Sequence, residues 1–382
     1  MPEPPDLGLY LHVPFCLRKC PYCSFYSLAG RADLYKRYVR AVAGQIRQTA
    51  ALCGTERQPL TSIFFGGGTP TMLPAELLSN LLAHCLQHFS CANDMEISIE
   101  VNPATVDLAA LQILRQAGFN RLSVGVQSLH DQELQQLGRP YSAADALRTV
   151  RLARQAGFSN LSLDLMYGLP GQDLHSWRNT LEQALTLRPQ HLSIYELTIE
   201  PGTSFAEKQE QGRLDLPDED TVLLMLEQTR RLTIDAGFKR YEISNYARPG
   251  CRCRHNINYW QNGEYLGIGA GAVSFLNGTR CTALADAVRF CELVESGQDV
   301  RQEKESLDNE AAFRETVIMG LRMTDGVSLA ELVSRFGINA ETYYGDTLHR
   351  LIRRSMLQIA QGRLQLTEQG MLLANTVMAE LV

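Results

Sequence analysis

Gln116-Ala-Gly-Phe119 stands just ahead of the run RLSVGV, and 39 residues later Gln155-Ala-Gly-Phe158 stands just ahead of LSLDLM. A third copy, Ala236-Gly-Phe238, precedes KRYEIS. In each, glycine can close a helix in the left-handed conformation while the phenylalanine packs as the chain turns into a strand. A strand, a crossover helix and the next parallel strand need about 30 residues or more, which this spacing meets. Six strand candidates follow: Leu9–Val13, Ser62–Phe65, Glu96–Val101, Arg121–Val126, Asn160–Leu165 and His191–Leu197. Most are nearly continuously apolar or alternate only loosely, as expected of strands covered by helices, and segments such as Ala75–His88 and Ala143–Ala156 have helical periodicity. The pattern predicts an α/β fold with a partial (β/α)6 barrel, a Rossmann-like open sheet being the alternative.

The tail reads differently. Phe313, Val317, Ile318 and Leu321 mark one helical face, Ser328-Leu-Ala-Glu331 is a capping box, and Gly337 stops the second helix. A third helix runs through Tyr343, Leu348 and Leu351, and Met356–Ala360 and Arg363–Leu366 flank Gln361-Gly362 as a hairpin. Three helices and a hairpin predict a small winged-helix-like domain over residues 306–382, after a barrel core over 1–235 and a connecting segment over 236–305. From Arg301 onward there are 9 Lys/Arg against 11 Asp/Glu, which lacks the basic footprint of a DNA reader.

The whole chain carries a net charge of −6, so nucleic acid is not an expected partner. The first residues, MPEPPDLGLYLHVPFC, lack the basic and apolar regions of a secretory signal, and no apolar run approaches the ~20 residues of a membrane span. Both observations point to the cytoplasm. In a reducing compartment, clustered cysteines point to metal or redox chemistry. Cys53, Cys85, Cys91, Cys281 and Cys291 are scattered and read as buried small hydrophobes.

Cys16, Cys20 and Cys23 form a C-x3-C-x2-C loop directly after the first strand. Three thiolates from one loop can ligate three irons of a [4Fe–4S] cubane and leave the fourth iron free for another ligand. Arg18 and Lys19 within the loop favour thiolates. Two readings compete. A dithiol at Cys20-Pro-Tyr-Cys23 leaves Cys16 idle, and zinc would draw its fourth ligand from distant Cys251 or Cys253.

This loop, with Tyr22 before its last cysteine, resembles the signature of radical S-adenosylmethionine (SAM) proteins. Tyr10-Leu-His-Val-Pro-Phe-Cys16, followed by Phe65-Gly-Gly-Gly-Thr-Pro-Thr71, resembles the oxygen-independent coproporphyrinogen III oxidase group over about residues 9–265. The resemblance implies a cluster on Cys16, Cys20 and Cys23, SAM contacts from Tyr10 and Tyr22, and reception of the SAM amino group by Gly67, Gly68 and Thr69. Glu100, Gln127 and Asp164 lie in or at the ends of strands, and Arg139 follows the fourth strand; together they would hold the ribose, amine and carboxylate. That rim is where barrel sites assemble. The implied chemistry is electron donation from the reduced cluster to the sulfonium, giving methionine and a 5′-deoxyadenosyl radical. No side chain is assigned as catalytic acid, base or nucleophile.

The oxidases of this group carry a further cysteine two residues past the third ligand, where this chain has Phe25, and they have additional residues ahead of the barrel. The chain thus resembles the paralogous branch of haem chaperones. Arg254-His255-Asn256-Ile257-Asn258-Tyr259-Trp260 resembles that branch's HNxxYW segment, which implies His255 as a haem ligand. The alternative for His255 is a buried, hydrogen-bonded histidine beside a packed Tyr–Trp pair. The implied function is binding of haem and its transfer to an apo-haemoprotein recipient, with an electron donor for the cluster. Peripheral membrane association through a partner stays open. The alternative function is oxidative decarboxylation of coproporphyrinogen III.

Overall fold

The computed structural model describes residues 7–53 and 58–382. Met1–Asp6, part of the stretch read as lacking a signal, lie outside the described residues.

β1 (Leu7–Val13) runs into the two-residue β2 (Phe15–Cys16), which pairs in parallel with β3 (Leu28–Ala29) across the cysteine loop. There follow α1 (Tyr35–Cys53), β4 (Leu60–Gly67), α2 (Ala75–His88), β5 (Cys91–Val101), α3 (Leu108–Ala117) and β6 (Arg121–Gln127). The short α4 (Asp131–Gln136), α5 (Ala143–Gln155), β7 (Asn160–Tyr167), α6 (Leu174–Thr186) and β8 (His191–Glu196) complete six parallel βα repeats. The three Gly–Phe stops behave as the sequence implied. Gly118, Gly157 and Gly237 have φ of 117°, 91° and 81°. The amides of Phe119, Phe158 and Phe238 reach back five residues to Leu114, Ala153 and Thr233, and all three rings are buried.

The strands alternate more regularly than the loose alternation expected. Leu9, Leu11, Ile63, Phe65, Ile97, Ile99, Leu122, Val124, Leu161, Leu163, Leu192 and Ile194 belong to the main aliphatic core with the helices. Alternate positions carry Ser62, Glu96, Ser98, Glu100, Arg121, Ser123, Ser162, Asp164, His191 and Ser193, so the opposite face of the curved sheet is polar.

After α7 (Ser204–Glu210) and α8 (Glu219–Asp235), the segment expected as a connection contributes strands to both edges of the sheet. β9 (Lys239–Arg240) and β10 (Asn245–Ala247) add beside β8. After α9 (Arg254–Trp260), β11 (Glu264–Ile268) pairs in parallel with β1, Tyr10 facing Gly267. β12 (Val273–Leu276), β13 (Thr279–Ala283) and, after α10 (Ala287–Glu295), β14 (Arg301–Ser306) extend that edge antiparallel. The result is one 12-stranded sheet, open at β14 and β9.

The C-terminal part has the winged-helix order α11 (Asn309–Leu321), β15 (Val327–Ser328), α12 (Leu329–Phe336), α13 (Ala340–Arg353), β16 (Leu357–Ala360) and β17 (Arg363–Leu366). Ser328 caps α12 by accepting the Glu331 amide at 3.2 Å, and Gly337 ends it at φ 70°. Its own core is built on Phe313, Val317, Leu348, Leu351 and Leu364. Among the described residues no helix is long and apolar enough to cross a membrane.

Candidate cofactor site

The cysteine loop is clamped by backbone bonds on both sides. The Gly68 amide donates to Val13 O (2.9 Å), that of Thr69 to Phe15 O (2.7 Å), and that of Phe205 to Pro21 O (2.9 Å). Phe15 anchors the loop's start, fully buried between Tyr35 and Tyr38. Gly68 is required by this approach: a Cβ there would stand 2.8 Å from Phe15 O and 3.0 Å from Cys16 Sγ.

The loop covers a cavity of about 460 Å³ at the C-terminal ends of the strands. Cys16, Cys20 and Cys23 line it together with Tyr22, Gly67, Gly68, Thr69, Glu100, Gln127, Arg139 and Asp164. Eleven of the thirteen residues singled out from sequence therefore line this one cavity. Phe25 stands at its mouth, 66% exposed.

All three cysteines are free and half-buried. Burial raises the Cys16 and Cys23 thiols, against hydrogen bonds from Ser27 and Thr69 to Cys16 and from the Phe25 backbone to Cys23. Among the described residues no three His, Cys, Asp or Glu side chains gather closely enough for a single metal ion. A cubane takes one thiolate per iron, so its ligands stand wider apart than those of one zinc.

Glu100 on β5 and Asp164 on β7 line the cavity from either side of β6. Burial, and then the charge of Asp164, push the Glu100 carboxyl up to about 8, against the Gly67 backbone amide. Burial also raises Asp164, but hydrogen bonds from Ser193 and Ser123 and the charge of Arg121 oppose it. Ser123 donates to Asp164 at 2.9 Å. Gln127 sits at φ 63° where the β6–β7 register shifts, and this bulge brings its side chain onto the cavity wall. Arg139 donates to the Tyr22 hydroxyl and lies over its ring, while its buried Nε has no partner among the described residues.

Two expected residues are elsewhere. Tyr10 lies one layer below the cavity, stacked on Phe64 and His255 with its hydroxyl 3.1 Å from His12 Nδ1. A side chain at Gly66 would separate it from Glu100, since a Cβ there would approach both. His255 lies at the N-terminal end of the barrel, buried, with Nδ1 2.9 Å from Ser62 Oγ and Nε2 3.0 Å from Tyr259 Oη. Burial, and then Arg121, hold its pKa at about 3. Both ring nitrogens are thus occupied, which is the hydrogen-bonded alternative weighed for this residue. Nor is Cys253 a ready thiolate: it is buried, donates to Glu96 Oε1 at 3.3 Å, and is pushed by burial to about 12.

Sequence reading missed Asn102 and Met166, which also line the cavity, although each stands two residues past Glu100 or Asp164 and so shares its face. Ser123 and Tyr195 line it too and carried no local signal. Of the scattered cysteines, Cys85 and Cys291 are buried as expected, whereas Cys53, Cys91 and Cys281 are only half-buried.

Residues 10–184 match the Radical SAM superfamily, and residues 307–373 match the HemN C-terminal domain. The chain is 36% identical over 371 residues to the heme chaperone HemW of Bacillus subtilis, covering 96% of this chain and 97% of the relative. The chain belongs to the HemW family. The Escherichia coli HemW is 35% identical, over 98% of this chain and 97% of its own. Among solved structures, coproporphyrinogen III oxidase (HemN) from Escherichia coli, described as a radical SAM enzyme, superposes with a TM-score of 0.85 at 25% identity, covering 99% of this chain and 90% of its own. The expected radical SAM fold, with a C-terminal domain of the HemN type, is therefore the fold of this HemW family member.

Proposed function

We propose that this chain binds haem and passes it to apo-haemoproteins, with a [4Fe–4S] cluster and SAM held in the cavity under the cysteine loop. The observation that carries the cofactor part is the convergence of three free thiols, the Gly67–Thr69 cradle, two carboxyls and an arginine around one cavity. The residues fit these groups. Arg139 Nε is a buried donor without a partner among the described residues, suited to a carboxylate, and the bare Gly68 lets a ligand approach the backbone.

In this reading Cys16, Cys20 and Cys23 hold the cluster, Arg139 takes the SAM carboxylate, and Glu100 and Asp164 face its cationic amine and sulfonium. The chemistry such a pair supplies is one-electron cleavage of a carbon–sulfur bond. The protein's part is to orient the ligand, to keep water out with the loop, and to oppose, through Ser193 and Ser123, the rise that burial imposes on the Asp164 carboxyl. The haem part rests on the HemW relatives and on Phe25 at the mouth. His255 enters as an anchor of α9, since binding iron would require it to surrender Ser62 or Tyr259.

A paired assay on anaerobically reconstituted protein tests the reading. Stoichiometric haem uptake and transfer to an apo-haemoprotein, without turnover of coproporphyrinogen III, is expected. Sustained formation of protoporphyrinogen would restore the oxidase alternative.

A further inference from the structure

Tyr241, His191 and Ser162 line no part of the cofactor cavity, yet all three are fully buried and bonded end to end. The Cys253 amide donates to Tyr241 Oη at 3.3 Å, Tyr241 Oη lies 2.8 Å from His191 Nε2, His191 Nδ1 lies 2.8 Å from Ser162 Oγ, and Ser162 donates to Asp164 Oδ1 at 3.3 Å. The direction of every hydrogen follows from the Asp164 end. Ser162 spends its single proton on Asp164, so its oxygen accepts from His191 Nδ1, with Ser193 Oγ 3.3 Å away. Burial, and then Arg121, keep His191 neutral, so Nε2 carries no proton and accepts from the Tyr241 hydroxyl, whose oxygen takes the Cys253 amide. The chain therefore points one way, from the start of α9 to the cavity's carboxylate.

Its far end is itself anchored. Glu96 accepts from the amides of Arg254 (3.1 Å) and His255 (3.4 Å) and from Cys253 Sγ. The Tyr241 carbonyl accepts from the Thr324 amide at 3.0 Å, and Glu242 pairs with Met323, so the same residue also holds the C-terminal domain. Between the two ends lies Arg121, fully buried, facing Cys253, Glu96, Tyr241 and Asp164, with Nε unpartnered among the described residues. Aliphatic side chains could have filled this space without the desolvation of a charge. The Arg121 charge faces both carboxyls, Glu96 at one end of the chain and Asp164 at the other.

We propose that His191 and Tyr241 are positioning residues of a hydrogen-bonded relay that couples ligand binding at Asp164 to the seating of α9 and the C-terminal domain. The proposal rests on the cavity being the SAM site. A cationic ligand against Asp164 holds that carboxylate ionised and in place, so Ser162, His191 and Tyr241 keep their bonds through to the Cys253 amide at the start of α9. By linkage, loosening α9 weakens the ligand by the same factor.

The test is amide hydrogen exchange of residues 253–260 and 323–328 in the full, anaerobically reconstituted chain, with and without saturating SAM. Wild type is expected to slow about 5-fold on binding, and Tyr241→Phe to lose that response while its SAM dissociation constant rises about 5-fold. Ser162→Ala cuts the other end within a smaller side chain, and decides the matter should Tyr241→Phe not fold. A variant that keeps the full slowing overturns the relay. Wild type that binds SAM without any slowing overturns the coupling alone. Wild type that fails to bind SAM overturns the cofactor reading, and the coupling with it.

Discussion

Arg139 lies across Tyr22, its guanidinium carbon 5.6 Å from the ring centroid, so the residue before the last cysteine and the loop after the fourth barrel strand are locked face to face. The contact fixes the fork and leaves Nε free of partners among the described residues. Arg139→Lys keeps the charge and loses the planar fork. A SAM dissociation constant raised roughly 10- to 100-fold is expected from loss of a charge-assisted bond. Equilibrium titration of the reconstituted protein measures it; unchanged affinity would remove Arg139 from the site.

On the proposed function, loss of any one of the three thiols removes a cluster ligand. Anaerobic reconstitution of wild type should give about four irons per chain. Cys16→Ala, Cys20→Ala and Cys23→Ala should each lose most of that iron and the associated visible absorbance. Stoichiometric zinc without iron in wild type would count against the cluster.

Glu100 titrates at about 8 against an ordinary value of 4.5, so between these values it is protonated in the folded chain and ionised in the unfolded one. Its contribution to stability is present below the unfolded value and is lost as pH rises through 8. The denaturant midpoint of the cofactor-free protein should fall across that window, and Glu100→Gln should flatten the fall. A cationic ligand favours the carboxylate, so SAM binding near pH 7 should release protons. Calorimetry in buffers of different ionisation enthalpy reads this release, which Glu100→Gln should abolish.

His255→Ala strands Ser62 and Tyr259 in a buried setting, and a loss of about 1–3 kcal/mol is expected from unsatisfied polar groups. If His255 is an anchor, haem taken up by the folded variant keeps the wild-type visible spectrum. A shifted Soret band in that variant would return His255 to the role of iron ligand.

Much of this arrangement was readable along the chain because its determinants are local. The Gly–Phe stops declared both helix ends and strand starts, and the cysteine spacing declared the loop. Gln127 was placed at a strand end, but its bulge depends on register with β7, which no single strand encodes. Tyr10 and His255 were drawn to function by their motifs. Their true neighbours, Phe64 and Ser62, come from a strand more than fifty residues from Tyr10, and only the sheet brings them together. His191 and Tyr241 gave no sign at all, since an isolated polar residue in an apolar run looks the same whether or not a partner waits across the sheet.

β1 is made before both strands it pairs with, β4 and β11. Leu7 meets Leu60 on one side but Glu264 on the other, so one edge of the strand beside the cysteine loop stays unpaired until synthesis has reached Glu264. An open edge of that kind is a template for wrong pairings. Expression speed and chaperone supply should therefore govern the yield of soluble protein more than the stability of the finished sheet does.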